Sequence, residues 1–330
     1  MFSRADAQAL RESLGPFSPR SPLAQAGGEQ AQPAILQKYC DYYGLNLGGS
    51  KLPVTHHAGT LTSGASTLVA QYFTVPMDRQ VGTAVILHGY FDHTGLYGHL
   101  IKNCLEQGLS VVSLDLPGHG LSTGKPASIA SFALYGDALI ALLERVEDQG
   151  VAHPWFAIGQ STGAAILMDS VLNQRLVEQF AFRCFILLAP LLKPYGWNKA
   201  RILFHSTRLF LSSTPRRFSA NSHDLEFLEF LRGQDALQCK RLPRDWVLAM
   251  LDYQVRFAHA EVGNVPMHII QGTDDKTVDW QNNIEEITAK FPGSLSYLVA
   301  DAKHHLVNES AEFRNKVFGL VNQIIADGLE

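Results

Sequence analysis

Residues 155–172, WFAIGQSTGAAILMDSVL, constrain this chain more than any other stretch. The apolar run Trp155-Phe156-Ala157-Ile158 has the length of a buried strand, and the Ala, Leu and Met after Thr162 have helical character. Between them lies Gly159-Gln160-Ser161-Thr162-Gly163, a G-x-S-x-G pattern. So sharp a strand-to-helix turn pushes the serine hydroxyl out above a sheet, and glycines flank it because the two backbones crowd together. The spacing predicts a nucleophile elbow at Ser161 and, with it, an α/β chain.

The same pattern recurs at Gly120-Leu121-Ser122-Thr123-Gly124, and context separates the two. Ser122 follows Pro117-Gly118-His119-Gly120 and precedes Lys125-Pro126, which leaves neither a strand before it nor a helix after it. Ser161 has both.

Along the chain, strands are expected at 71–75, 83–87, 110–114, 155–158 and 185–189, with helices at 96–107, 132–147 and 162–172 between them. This alternation implies a mostly parallel sheet with helices on both faces. It breaks from Leu191 to about Glu261, where helices but no convincing buried strand are found. It resumes with strands at 267–271 and 295–299 and helices from Trp280 and Ala311. The organisation expected is a partly flexible N-terminal leader over 1–50, core over 51–190, an inserted helical cap over 191–261, and core again over 262–330. Residues 13–33, rich in Pro, Gly, Ser, Ala and Gln, are expected to be a flexible or loosely docked part of that leader.

The net charge of −4 argues against nucleic acid as a partner. Cys40, Cys104, Cys184 and Cys239 are widely scattered and suggest neither a disulfide framework nor a metal site, and a hydrolase built on a serine nucleophile requires no cofactor. The first residues lack the continuous apolar core of a signal peptide, and no run of about 18 apolar residues occurs that would span a membrane. A soluble cytoplasmic protein is expected.

A serine nucleophile needs a base, and the base an orienting acid. Two loops directly after late strands offer them: Gly272-Thr273-Asp274-Asp275-Lys276, and Asp301-Ala302-Lys303-His304-His305-Leu306. Asp274, Asp275 and Asp279 compete for the acid, and His304 and His305 for the base; spacing does not choose between neighbours. An oxyanion hole needs two N–H donors. One is expected from the Thr162 backbone, the other from the loop 88–95 after the strand at 83–87, with Tyr90 as the candidate.

Together these segments form a familiar series. His88-Gly89-Tyr90-Phe91-Asp92-His93 resembles the HGxxEH oxyanion loop of the monoacylglycerol lipase and lysophospholipase group of alpha/beta-hydrolases. Asp115 to Ser122 resembles that group's D-x-x-G-H-G-x-S loop, and Gly159 to Gly163 its GHSMG elbow. Gly272 to Asp275 is similar to its GxxD acid loop, and His304 to Glu309 to its terminal H-x-x-x-x-E segment. The resemblance runs in order from about Val81 to Ile325. It implies the alpha/beta-hydrolase fold with Ser161 as nucleophile, Asp275 as acid, His304 as base and Tyr90 and Thr162 at the oxyanion hole. His119 and Asp115 then belong to a supporting loop. Gln160, Thr162 and Asp92 depart from the usual histidine, methionine and glutamate, and none of these changes removes a catalytic group.

The cap supplies Trp197, Ile202, Leu203, Phe204, Leu209, Phe210, Leu211, Phe227, Phe230 and Leu231, then Trp246, Met250, Tyr253 and Phe257 at helical spacing. Such stripes usually pack a helix onto a core, yet a roof this apolar favours an acyl chain. Residues 191–261 hold eleven Lys and Arg against seven Asp and Glu, a +4 segment that leaves the rest of the chain at −8. A cap of that charge suits either plain solvated helix faces or peripheral contact with anionic lipid through Arg216-Arg217 and Lys240-Arg241. The expectation is a serine carboxylic-ester hydrolase working through an acyl-enzyme on monoacylglycerol- or lysophospholipid-like substrates. An aminopeptidase-like or amide-cleaving enzyme is the alternative, with Asp224, Glu226 and Glu229 as candidates to hold a substrate ammonium. A catalytically silent binding protein is the other; such chains generally lack a triad member.

Overall fold

The computed structural model describes residues 1–19, 34–49, 52–197, 201, 204, 211–216 and 218–330. Among the described residues there are ten strands: β1 (Thr55–Ser63), β2 (Ser66–Thr74), β3 (Gly82–Leu87), β4 (Leu109–Leu114), β5 (Trp155–Gln160), β6 (Phe182–Leu188), β7 (Ser213–Pro215), β8 (Arg241–Pro243), β9 (His268–Gly272) and β10 (Leu295–Val299). Eight of them form one sheet in the order β1-β2-β4-β3-β5-β6-β9-β10. β2 runs antiparallel to both neighbours, and every pairing from β4 to β10 is parallel.

The apolar runs become strands covered on both faces. Side chains alternate across a strand, so Val85 and Leu87 of β3 enter one core with the helices Ala133–Asp148 and Thr162–Asn173. Ala84 and Ile86 enter the other, with the helices Gly98–Glu106 and Ala311–Leu329. This is the mostly parallel sheet with helices on both faces that the sequence predicts.

Two regions hold more structure than the sequence suggests. A helix, Arg4–Ser13, starts at a capping box made by Ser3 and Asp6. A second, Ala34–Tyr43, follows, and Phe2, Leu10, Leu36 and Tyr39 are buried in the core. Residues 20–33, the main part of the expected flexible leader, lie outside the described residues. Between β6 and β9, the helix Arg244–His259 turns Trp246, Met250, Tyr253 and Phe257 onto the core, as their spacing predicts. The same region also contains β7 and β8, paired in a short antiparallel ribbon, which the sequence did not suggest. Ile202, Leu203, Leu209, Phe210 and Arg217 lie outside the described residues. Among the described residues no helix is long and apolar enough to cross a membrane.

Candidate active site

β5 ends at Gln160 and the next helix begins at Thr162, so Ser161 alone makes the turn, with φ 53° and ψ −108°. A non-glycine residue in this region is strained by about 1–3 kcal/mol and persists only where its surroundings over-determine it. They do: the Ser161 amide donates to the Leu188 carbonyl at 2.8 Å, and its carbonyl accepts from Ala165 and Leu191. A Cβ on Gly163 would collide with the Leu87 carbonyl, and one on Gly159 with the Ala164 amide. The flanking glycines let helix and strand approach this closely.

The backbone being fully used, the hydroxyl is free for another partner. His304, on the loop after β10, brings Nε2 to 3.0 Å from Ser161 Oγ. Its Nδ1 lies 2.7 Å from Asp275 Oδ2, on the loop after β9. Asp275 also accepts from Gln271 Nε2 at 3.0 Å and from the Thr277 and Val278 amides at 2.8 and 3.1 Å. Burial pushes the Asp275 carboxyl up, but His304, the Thr277 amide and Gln271 outweigh it and hold the group below its ordinary value. An ionised Asp275 fixes the proton on Nδ1, which leaves Nε2 to accept from the serine hydroxyl; the tautomer is assigned from these contacts. The arrangement can deprotonate Ser161 and hold the resulting imidazolium.

The neighbouring candidates go elsewhere. Asp274 pairs with Lys276 at 2.8 Å, and Asp279 precedes the helix Trp280–Lys290. The His305 ring turns to Asp92, with Nε2 3.1 Å from Oδ2, and meets Phe227 edge-on. Gln160 donates through Nε2 to the His304 carbonyl at 2.9 Å, so the residue before the serine holds the residue opposite it.

The loop after β3 passes directly over the elbow: a Cβ on Gly89 would lie 3.5 Å from Ser161 Cβ. The Tyr97 hydroxyl accepts from the Gly89 amide at 2.8 Å and donates to Asp92 Oδ2 at 3.0 Å. Phe91 takes a left-handed φ of 67°. Neither the Tyr90 amide nor the Thr162 amide donates to any described residue. These are the two N–H groups the sequence nominates for an oxyanion hole.

His88, Asp115, His119 and Ser122 brace this loop. His88 Nε2 accepts from the Leu116 amide at 2.9 Å, and the Asp115 carboxylate accepts from the Thr94 and Leu121 amides, each at 2.7 Å. Burial holds His119 neutral, with its pKa down to about 3. The charged residues between β6 and β9 scatter. Asp224 caps the helix Leu225–Glu229 by accepting from the Phe227 amide, while Glu226 and Glu229 are exposed. Lys240 and Arg241 are exposed, but the Arg216 guanidinium lies between the rings of Phe91 and Phe218. The sequence reading missed the partnerships of Gln160 with His304, His305 with Asp92, and His93 with Asp235. Their one sequence signal is that Gln160, His305, Asp92 and His93 are polar residues inside the motifs; Asp235 lies in none of them.

The family model described as serine aminopeptidase, S33, matches residues 78–311. The monoglyceride lipase homolog of Monkeypox virus is 24% identical over 251 residues, which cover 73% of this chain and 88% of that protein. Phospholipase YtpA of Bacillus subtilis is 35% identical over 98 residues, 30% of this chain and 37% of that relative's length. A soluble variant of monoglyceride lipase from Saccharomyces cerevisiae, solved with a substrate analog, superposes with a TM-score of 0.71 at 16% identity, covering 82% of this chain and 95% of that one. The matched span includes Ser161, the region between β6 and β9 and the loops of Asp275 and His304, and the chain belongs to the serine aminopeptidase S33 family as an alpha/beta-hydrolase of the monoglyceride lipase-like type.

Proposed function

We propose that the chain is a serine carboxylic-ester hydrolase that works through an acyl-enzyme on monoacylglycerol- or lysophospholipid-like substrates. One observation carries the reading: the unbroken contact from Ser161 Oγ through His304 to Asp275, at 3.0 and 2.7 Å. Ser161 Oγ attacks the ester carbonyl carbon while His304 Nε2 takes its proton, and Asp275 stabilises the imidazolium. The Tyr90 and Thr162 amides receive the oxyanion; each such donor is worth about 10²–10³ in kcat. When the C–O bond to the alcohol breaks, His304 returns the proton to the leaving oxygen. Water then adds to the acyl carbon, giving a proton to His304, and the serine leaves reprotonated as the fatty acid departs.

Lipids or esters as substrates also agree with the names of the relatives. Four free cysteines suit a reducing cytoplasm, and the exposed Lys240 and Arg241 suit transient contact with an anionic surface. For an amide-cleaving enzyme, the nominated acids Asp224, Glu226 and Glu229 offer no buried carboxylate for a substrate ammonium. The test is a fluorophosphonate probe on wild type and Ser161→Ala, with a panel of monoacylglycerols, lysophospholipids, nitrophenyl esters of graded length and an aminoacyl amide. Labelling confined to wild type, with turnover rising toward medium or long acyl esters, is expected. No labelling, or an optimum at acetate with no gain on lengthening, overturns it.

A further inference from the structure

The loop that would carry one oxyanion donor is held from above as well as from below. From the core side it has the Gly89–Tyr97–Asp92 contacts, and the Tyr90 hydroxyl donates to the Ala127 carbonyl at 2.7 Å. From the cap side, separate segments meet Tyr90, Phe91 and His93 of the loop. The Tyr90 ring stacks on Trp246, centroids 3.8 Å apart and planes within 15°. The Arg216 guanidinium lies 4.2 Å from the Phe91 ring centroid, with Phe218 4.5 Å away from the same guanidinium. His93 Nε2 reaches Asp235 Oδ2 at 3.1 Å.

Two further facts give these contacts direction. Phe91 is bulky and left-handed, a conformation that does not persist without external restraint. The Arg216 guanidinium donates to Gln238, and no carboxylate among the described residues lies within ion-pair distance of it. Its packing against Phe91 and Phe218 is therefore its main engagement in the fold besides Gln238, and a guanidinium over an aromatic face is attractive. We infer that Trp246 and Arg216 are positioning residues for the oxyanion loop, fixing the rings of Tyr90 and Phe91 so that the Tyr90 amide points at the developing oxyanion. This rests on the ester-hydrolase reading above and adds to it two residues that act on transition-state stabilisation through the loop.

The rival role for Trp246 is a wall for the acyl chain, and a short substrate separates the two. kcat and KM are measured on p-nitrophenyl acetate and on a long-chain p-nitrophenyl ester for wild type, Trp246→Ala, Trp246→Phe, Arg216→Ala and Tyr90→Ala, with thermal melts to check folding. Turnover of both esters by wild type first establishes the ester-hydrolase reading independently; without it that reading fails and the variants are not needed. Given it, Trp246→Ala is expected to lower kcat at least about 10-fold on both esters, a fraction of what losing an oxyanion donor costs, with KM for the acetate within about two-fold. Trp246→Phe, which keeps a stacking ring, restores most of the loss, and Arg216→Ala lowers kcat in the same way by less. In the Tyr90→Ala background, which keeps the amide but removes the ring, the Trp246 effect shrinks because both act through one contact. If kcat on the acetate is unchanged in Trp246→Ala and Arg216→Ala, and losses appear only in KM for the long ester, the proposal is wrong. Should Trp246→Ala not fold, kcat on the acetate in Arg216→Ala and Tyr90→Ala decides it by the same criteria.

Discussion

Ser122 and Ser161 occupy the same five-residue pattern, on loops leaving the carboxyl ends of parallel strands β4 and β5, and are about equally buried, at 7% and 8% exposed. Their hydrogen bonds divide them. The Ser122 hydroxyl donates to the Asp115 carbonyl at 2.6 Å and accepts from the Val69 amide at 2.9 Å, so it is consumed in joining the Asp115 turn to β2. At Ser161 the backbone makes the structural bonds, and among the described residues the hydroxyl meets only an imidazole. A side chain is available for chemistry where the main chain alone suffices to hold the residue. Neither the motif nor the burial carries that distinction.

The largest expected effects would break this contrast if it were false. Ser161→Ala is expected to abolish ester hydrolysis, by about 10⁴-fold or more in kcat, with a cooperative melt retained. Ser122→Ala is expected to leave kcat/KM within a few-fold and to cost about 1–3 kcal/mol of stability, because two buried backbone groups lose their partner. Esterase assays and denaturant titrations on both variants read this out; loss of turnover in Ser122→Ala with survival in Ser161→Ala would reverse the assignment.

A similar contrast separates the adjacent carboxylates. Asp275 is buried with His304 and several donors, whereas Asp274 is solvated beside Lys276. Asp275→Asn is expected to lower kcat by about 10³–10⁴-fold, since the amide no longer holds the imidazole in the productive tautomer. Asp274→Asn should remain close to wild type. Equal losses in the two would remove Asp275 from its proposed role.

What could be read beforehand follows the same division. β3, β4, β5 and β6 are covered on both faces, so each reads as an apolar run bounded by breakers, and the elbow reads from glycines that sterics demand. β1 gave no such signal: THHAGTLTS is an edge strand, largely half-buried, with polar residues on both faces. Spacing does not choose His304 over His305 because both sit on one loop, and only the family resemblance points to His304; what separates them is the ring direction, set by Asp275 on one side and Asp92 on the other. Gln160 looked like a neutral departure, although its reach to the His304 carbonyl depends on a contact 144 residues away. Contacts between polar groups distant in sequence leave no periodicity to detect.

The smallest effect concerns the pair His93–Asp235, where charge rather than a neutral hydroxyl is committed to structure. Burial pushes His93 down, but Asp235, Asp115 and Asp92 more than reverse this and raise it above its ordinary value. Burial likewise raises Asp235, and His93, Gln238 and Tyr43 more than offset it and lower it. The histidine's contribution is thus complete below its unfolded value of about 6.5, and the carboxylate's above its unfolded value of about 3.9. Between these limits the pair stabilises fully; the histidine part fades as pH rises through the raised folded value. His93→Asn is expected to melt below wild type at pH 6, with the gap narrowing by about 2 °C by pH 9. The Ser122→Ala deficit involves no titrating group at that hydroxyl and should stay constant over the same range. Melting curves of the three proteins across pH 6–9 make the comparison, and a His93→Asn gap as flat as that of Ser122→Ala would mean that the buried imidazole carries no proton to lose.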